Sequence, residues 1–205
     1  VKVVGLSSAE ALAYLDAGTA DIAITHNPVL LAAYESSNPE AISAGVFASE
    51  FIVVGPDATA THPSVGELFR SVADQGLPFV SRDDGSGTHA REIAIWDGLD
   101  VDPSDEPWYV RTGTGMGATL QVADQRRAVT LSELGAYLTA ASTVSLAPIP
   151  LEATDGLGNP YVATFGGDAN DASRAFVDWL SSDAGVEAID RANRVLFGVA
   201  VYRSP

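Results

Sequence analysis

Phe79-Val80-Ser81-Arg82-Asp83-Asp84-Gly85-Ser86-Gly87-Thr88 is the stretch on which the reading of the fold turns. Pro78 to Ser81 is a short apolar run of the kind that makes a buried strand, and the polar, glycine-containing loop from Arg82 to Gly87 opens a helix from Thr88 to about Trp96. A helix start presents several backbone N–H groups with no partner in the helix, together with partial positive charge, so it holds an anion without a lysine. Here the start also carries the hydroxyls of Ser86 and Thr88, the backbone of Gly87, and the guanidinium of Arg82, whose planar, always-charged donors suit an oxyanion. A carboxylate at Asp84 accepts a proton from hydrogen phosphate but repels an anion that carries none, unless it is spent on holding Arg82 in place.

Outward from this stretch the pattern is strand, helix, strand, helix, which predicts α/β layers. Val1 to Val4 reads as a strand fragment, Ser7 and Glu10 have capping-box spacing before a helix from about Ala9 to Ala17, and Asp21 to Thr25 reads as the next strand. Pro28 opens a helix running to about Tyr34. Phe47 to Val54 alternates, is β-branched, and stops at Gly55-Pro56, where a crossover between lobes is expected. Ser64 with Glu67 predicts a helix to Ala73, and Trp108 to Arg111 a strand. That strand runs into Gly113-Thr114-Gly115-Met116-Gly117, another candidate anion-holding helix start, on a helix to about Gln125. Thr130 with Glu133 repeats the capping spacing before a helix ending near Ala140, and Val144 to Ile149 reads as a strand. The prolines and glycines from Pro148 to Pro160 mark a linker back to the first lobe, where Tyr161 to Phe165, a helix from Ala172 to Leu180 and a last helix from about Gly185 to Ala192 complete the pattern.

Composition narrows the function. There are 27 Asp plus Glu against 11 Lys plus Arg, a net charge of −16, so the long-range field repels nucleic acid and anionic lipid. Such a lysine-poor, acidic surface fits a halophilic setting, where salt screens the self-repulsion. The absence of cysteine excludes disulfides and Cys-ligated metals, and no pair of His or carboxylates has metal spacing. Ser86 near His89 suggests a nucleophile and base, but Asp84 and Thr88 occupy the glycine positions that a nucleophile elbow needs, so no enzyme is expected. Trp96, Trp108 and Trp179 lie on apolar faces and are expected in the core.

At the central loop a resemblance becomes specific. Phe79-Val80-Ser81-Arg82, Asp84, Ser86-Gly87-Thr88-His89, Glu92 and Trp96 resemble the signature of tungstate-binding proteins of ABC importers. The similarity continues through Trp108-Tyr109, Gly115 to Leu120, Thr130 to Ser132, Tyr137-Leu138, Asn159-Pro160-Tyr161 and Asp178-Trp179-Leu180. The resemblance implies a two-lobe, periplasmic-binding-protein-like (Venus flytrap) α/β fold, each lobe a central, mainly parallel sheet flanked by helices. Residues 1–55 and 159–205 are then lobe I and residues 56–158 lobe II. Family members begin with one further strand, loop and helix, so lobe I is expected to lack its N-terminal unit.

The same resemblance implies an extracytoplasmic, monomeric solute-binding component that holds tungstate or molybdate between its lobes, needs no cofactor or cation, and delivers to a membrane permease. By matched position, Arg82 and Thr88 are the expected ligand contacts, with Ser7 or Ser8 from lobe I; Ser86, Gly87 and the start Thr114, Gly115, Met116 and Gly117 complete the candidate set. Two alternatives keep the fold. Phosphate-binding importer proteins also use an Arg-x-Asp-x-Ser-Gly-Thr loop, and a ligand-sensing domain of an intracellular transcriptional regulator also uses this architecture.

Overall fold

The computed structural model describes residues 1–56, 58–167 and 169–205; Asp57, beside the expected lobe boundary, and Asp168 lie outside the described residues. Two compact units emerge, Val1–Ser49 with Asn159–Pro205, and Glu50–Gly158. The chain crosses between them at 49/50 and 158/159, and the first crossing falls inside a strand rather than at the Gly55-Pro56 stop.

In the first unit, α1 (Ser8–Asp16) is capped by Ser7 with the reciprocal Glu10 bond expected from the spacing. β1 (Ala23–Thr25) follows, then α2 (Pro28–Ser37), whose N-cap is Asn27. β2 (Ile42–Gly55) begins in this unit, and β7 (Gly158–Phe165) returns to it, running antiparallel to β1 with Ala23 opposite Thr164. Pro160 precedes the residues of β7 that pair with β1. α7 (Asp171–Leu180) and α8 (Asp183–Leu196) complete the unit. Val46, Ala163, Phe165, Val177 and Leu180 form its main core.

The second unit holds the second half of β2, α3 (Val65–Gln75), β3 (Phe79–Ser81), α4 (Gly87–Asp97), β4 (Tyr109–Arg111), α5 (Met116–Arg126), β5 (Thr130–Glu133), α6 (Leu134–Ala140) and β6 (Ala147–Pro148). β3 and β4 are parallel, with Ser81 opposite Arg111, whereas β2 pairs antiparallel with both β5 and β6. The α/β layering stands; parallel pairing is found between β3 and β4 and at the Phe79–Val129 bridge, beside antiparallel pairs of β1 with β7 and of β2 with β5 and β6. Phe69, Phe79, Trp96 and Tyr109 build the centre of this unit, their rings packed edge-on, tilted or stacked at 4.5 to 5.9 Å between centroids.

Three local expectations fail for physical reasons. Val1 to Val4 forms no strand and is exposed, because β-propensity without a neighbouring ladder fixes nothing. Thr130 caps no helix: Thr130 to Glu133 is β5, fully buried, and Glu133 itself accepts from the Ala136 N–H at the start of α6. Trp179 is 41% exposed and stacks on Phe176 instead of entering the core, while Trp96 is buried as expected and Trp108 packs at the core's edge.

Candidate functional site

The parallel pair β3 and β4 positions the chemistry. Each strand ends in a loop that turns into a helix, so the starts of α4 and α5 emerge at the same carboxyl edge of that pair, the place where open α/β sheets bind ligands. Thr112, just past β4, ties the two loops together. Its N–H donates to the Ser81 carbonyl (3.1 Å), and its hydroxyl reaches the carbonyls of Ser81 and Arg82 (3.0 and 3.2 Å) and the Thr119 hydroxyl on α5 (3.0 Å).

Arg82 is the centre of the α4 side, with its side chain only 16% exposed. Its Nη2 donates to Asp84 Oδ2 at 2.5 Å, its Nη1 to Thr88 Oγ1 at 3.4 Å, and its buried Nε has no hydrogen-bond partner. The second oxygen of Asp84 accepts from the Ser86 N–H at 3.1 Å. Burial pushes the Asp84 carboxyl up, but the Ser86 hydroxyl and N–H and the Arg82 guanidinium outweigh it and hold the group below the usual carboxylate range. Both carboxylate oxygens are therefore engaged in shaping the loop. Asp83 takes φ 47° and Gly85 φ 68°, and it is this left-handed passage that swings the chain from strand into helix.

The donor count at α4 follows from helix geometry. Ser86 is the N-cap, its N–H is spent on Asp84, and its hydroxyl accepts from the His89 N–H at 3.3 Å. Of the four N–H groups that a helix start leaves over, those of Gly87 and Thr88 remain to be offered. At α5 the N-cap is Gly115, which has no side chain to cap with, so the first-turn N–H groups of Met116 and Gly117 are offered too. A Cβ at Gly113, Gly115 or Gly117 would meet nothing within 4 Å, so the backbone there faces open space. The Met116 side chain is buried in the core with Val80 and Leu120, leaving its N–H as the group available. Thr114 is exposed and its carbonyl accepts from the Thr119 hydroxyl at 3.3 Å.

Ser7 and Ser8 lie in the other unit. There the Glu10 carboxylate takes both Ser7 donors, the N–H at 2.9 Å and the hydroxyl at 2.8 Å, and the Ser7 N–H holds the Glu10 carboxyl below its ordinary value. The Ser7 side chain is thus spent within the α1 capping box, and Glu10 brings a negative charge to that helix start. Ser8 is buried.

The Ser86 and His89 pair has no nucleophilic geometry. The His89 ring accepts from the Gly85 N–H at 3.1 Å and faces Asp83 at 3.7 Å, while Ser86 Oγ meets the His89 backbone rather than its ring. Sequence reasoning missed Thr112 and gave no role to Thr119, Glu92 and Tyr109, which carry the resemblance but were not placed in the site. Glu92 was within reach, because it stands four residues after Thr88 and four before Trp96, and so shares a face with both. Thr112 left no comparable signal, since its role depends on which strands become neighbours.

A chain that crosses twice between two α/β units and gathers backbone donors, hydroxyls and one guanidinium at helix starts has the make-up of a solute receptor for anions. It belongs to the family described as the PBP superfamily domain, which it matches over residues 1–184. It is similar to the tungstate-binding protein TupA of Peptoclostridium acidaminophilum, with 28% identity over 98% of this chain and 74% of that protein. Among solved structures, the tungstate-binding protein TupA from Desulfovibrio alaskensis superposes with a TM-score of 0.84 at 25% identity, covering 100% of this chain and 86% of the other. The tungstate ABC transporter structure from Geobacter sulfurreducens gives a TM-score of 0.78 at 27% identity, covering 93% and 85%.

Proposed function

We propose that this chain is the solute-binding component of an ABC importer and captures tungstate, with molybdate as its nearest analogue, at the edge of β3 and β4. The observation that carries this reading is the oriented Arg82: Asp84 fixes one end of the guanidinium, Thr88 marks the other, and the two neighbouring helix starts supply uncharged donors. An anion there meets the N–H groups of Gly87, Thr88, Met116 and Gly117, the Thr88 hydroxyl and Arg82; the Ser86 hydroxyl, engaged by Asp84 and the His89 N–H, shapes the loop, and Thr114 lines the approach. Ser7 is the weakest of the expected contacts, since Glu10 already occupies it.

Dipoles and hydrogen bonds of this kind match a ligand that is all acceptor. A proton-bearing anion such as hydrogen phosphate needs an acceptor in the site, and the Asp84 carboxylate already accepts at each of its oxygens, from Arg82 and from the Ser86 N–H. Similarity to proteins named for tungstate over nearly the full chain supports the same choice. The reaction is binding, with release to a membrane permease partner, and the working place is the outer side of the cell membrane. Among the described residues no helix is long and apolar enough to cross a membrane. Calorimetry with tungstate, molybdate and phosphate tests the proposal: tungstate is expected to bind tightest, and tighter binding of phosphate would transfer the chain to the phosphate-binding reading.

A further inference from the structure

Glu92 is a carboxyl sealed inside its unit's core that lies one helical turn from the candidate anion site. It is 2% exposed, and on α4 it stands four residues after Thr88, roughly 6 Å along the helix axis. The Tyr109 hydroxyl on β4 donates to Glu92 Oε1 at 2.5 Å. The Ser81 hydroxyl on β3 also faces it, and Trp96, on the same helix face, brings an indole N–H that reaches no acceptor at hydrogen-bond geometry. Asp83, in the loop above, is the charged group that acts on it, with the same sign. From α3, Val65, Leu68, Phe69 and Val72 share the core cluster with Trp96, and the ionisable Glu67, Arg70 and Asp74 are exposed. From β5 the ionisable residue is Glu133, which caps α6 through Ala136. None of these described neighbours is a cation, and Arg82, in the same loop as Asp83, is paired with Asp84.

We infer that Glu92 is a positioning residue whose charge is coupled to occupancy of the site, so that a dianion at the start of α4 is held with Glu92 neutral and binding takes up a proton. This rests on the ligand reading above. A carboxylic acid at Glu92 adds no charge beneath the bound anion, whereas a carboxylate there repels a dianion across low-dielectric protein. Burial pushes the Glu92 carboxyl up to about 7, against the pull of the Tyr109 and Ser81 hydroxyls and the indole, so its proton is exchanged near neutral pH.

Tungstate, which carries no proton in this range, is the probe for calorimetry at about pH 6 and pH 8.5 in buffers of different ionisation enthalpy. The wild type is expected to bind on the order of tenfold more weakly at the higher pH, with proton uptake on binding, and Glu92→Gln to bind equally at both. Tyr109→Phe removes a donor to the charged form, so the midpoint of the pH dependence should move upward. This arm carries the test where Glu92→Gln does not fold. Binding that ignores pH, or that keeps its pH dependence in Glu92→Gln, overturns the coupling alone. An absence of tungstate binding at both pH values overturns the ligand reading and the coupling with it.

Discussion

A guanidinium grips an oxyanion well only if its plane is fixed before the ligand arrives, and Asp84 fixes it at Arg82. Lysine at position 82 offers a point charge without the fork, so Arg82→Lys is expected to weaken tungstate binding at least tenfold and Arg82→Ala on the order of a hundredfold, read by titration calorimetry. Glu92 makes a different prediction. Its folded value of about 7 lies above the ordinary 4.5, so the stability it contributes is full below the lower value and is lost as pH rises through the upper one. The wild type should lose roughly 3 kcal/mol relative to Glu92→Gln across that window, measured by urea unfolding at several pH values. The Arg82 loop could be read from the sequence because its chemistry is local: a strand, a guanidinium, glycines and hydroxyls within ten residues. The Glu92 and Tyr109 pair is separated by 17 residues and becomes a pair only when α4 packs against β4. No local pattern announces that.

Helices were easier to read than strands, for the reason that helix signals are covalently near one another. Ser7 with Glu10, Pro28, and Ser64 with Glu67 all mark helix starts that the structure holds. β5 was misread because Thr130 and Glu133 fit a capping box equally well, and pairing with β2 decided the matter. Two predictions belong at this scale. Ser86→Ala removes the cap of α4 and should cost about 1 kcal/mol in unfolding free energy, with weaker tungstate binding because the loop frays. At Gly185, in the first turn of α8, a Cβ would lie 2.1 Å from the Trp179 carbonyl oxygen and 2.7 Å from that of Leu180. α8 must therefore move away from the end of α7, and Gly185→Ala should destabilise by about 3 kcal/mol, seen as a lower urea midpoint.

For the whole molecule, charge and site pull in opposite directions. A net charge of −16 repels an approaching anion, while the proposed site offers it Arg82 and backbone donors at short range. Salt screens the long-range repulsion first, so the association rate of tungstate in stopped-flow mixing should rise between dilute buffer and molar chloride, and resistance to urea should rise with it. A stability curve indifferent to salt would remove the halophilic interpretation of the acidic surface. The first crossing between the two units falls at 49/50, within β2, where the sequence pointed to Gly55-Pro56, because β2 is one unbroken strand that contributes to both. The most direct test of the central claim is competitive calorimetry of tungstate against phosphate on the wild type and on Arg82→Ala. Tighter binding of tungstate that is lost in the variant is the expected result. Preference for phosphate, or tungstate binding unchanged without the guanidinium, would contradict it.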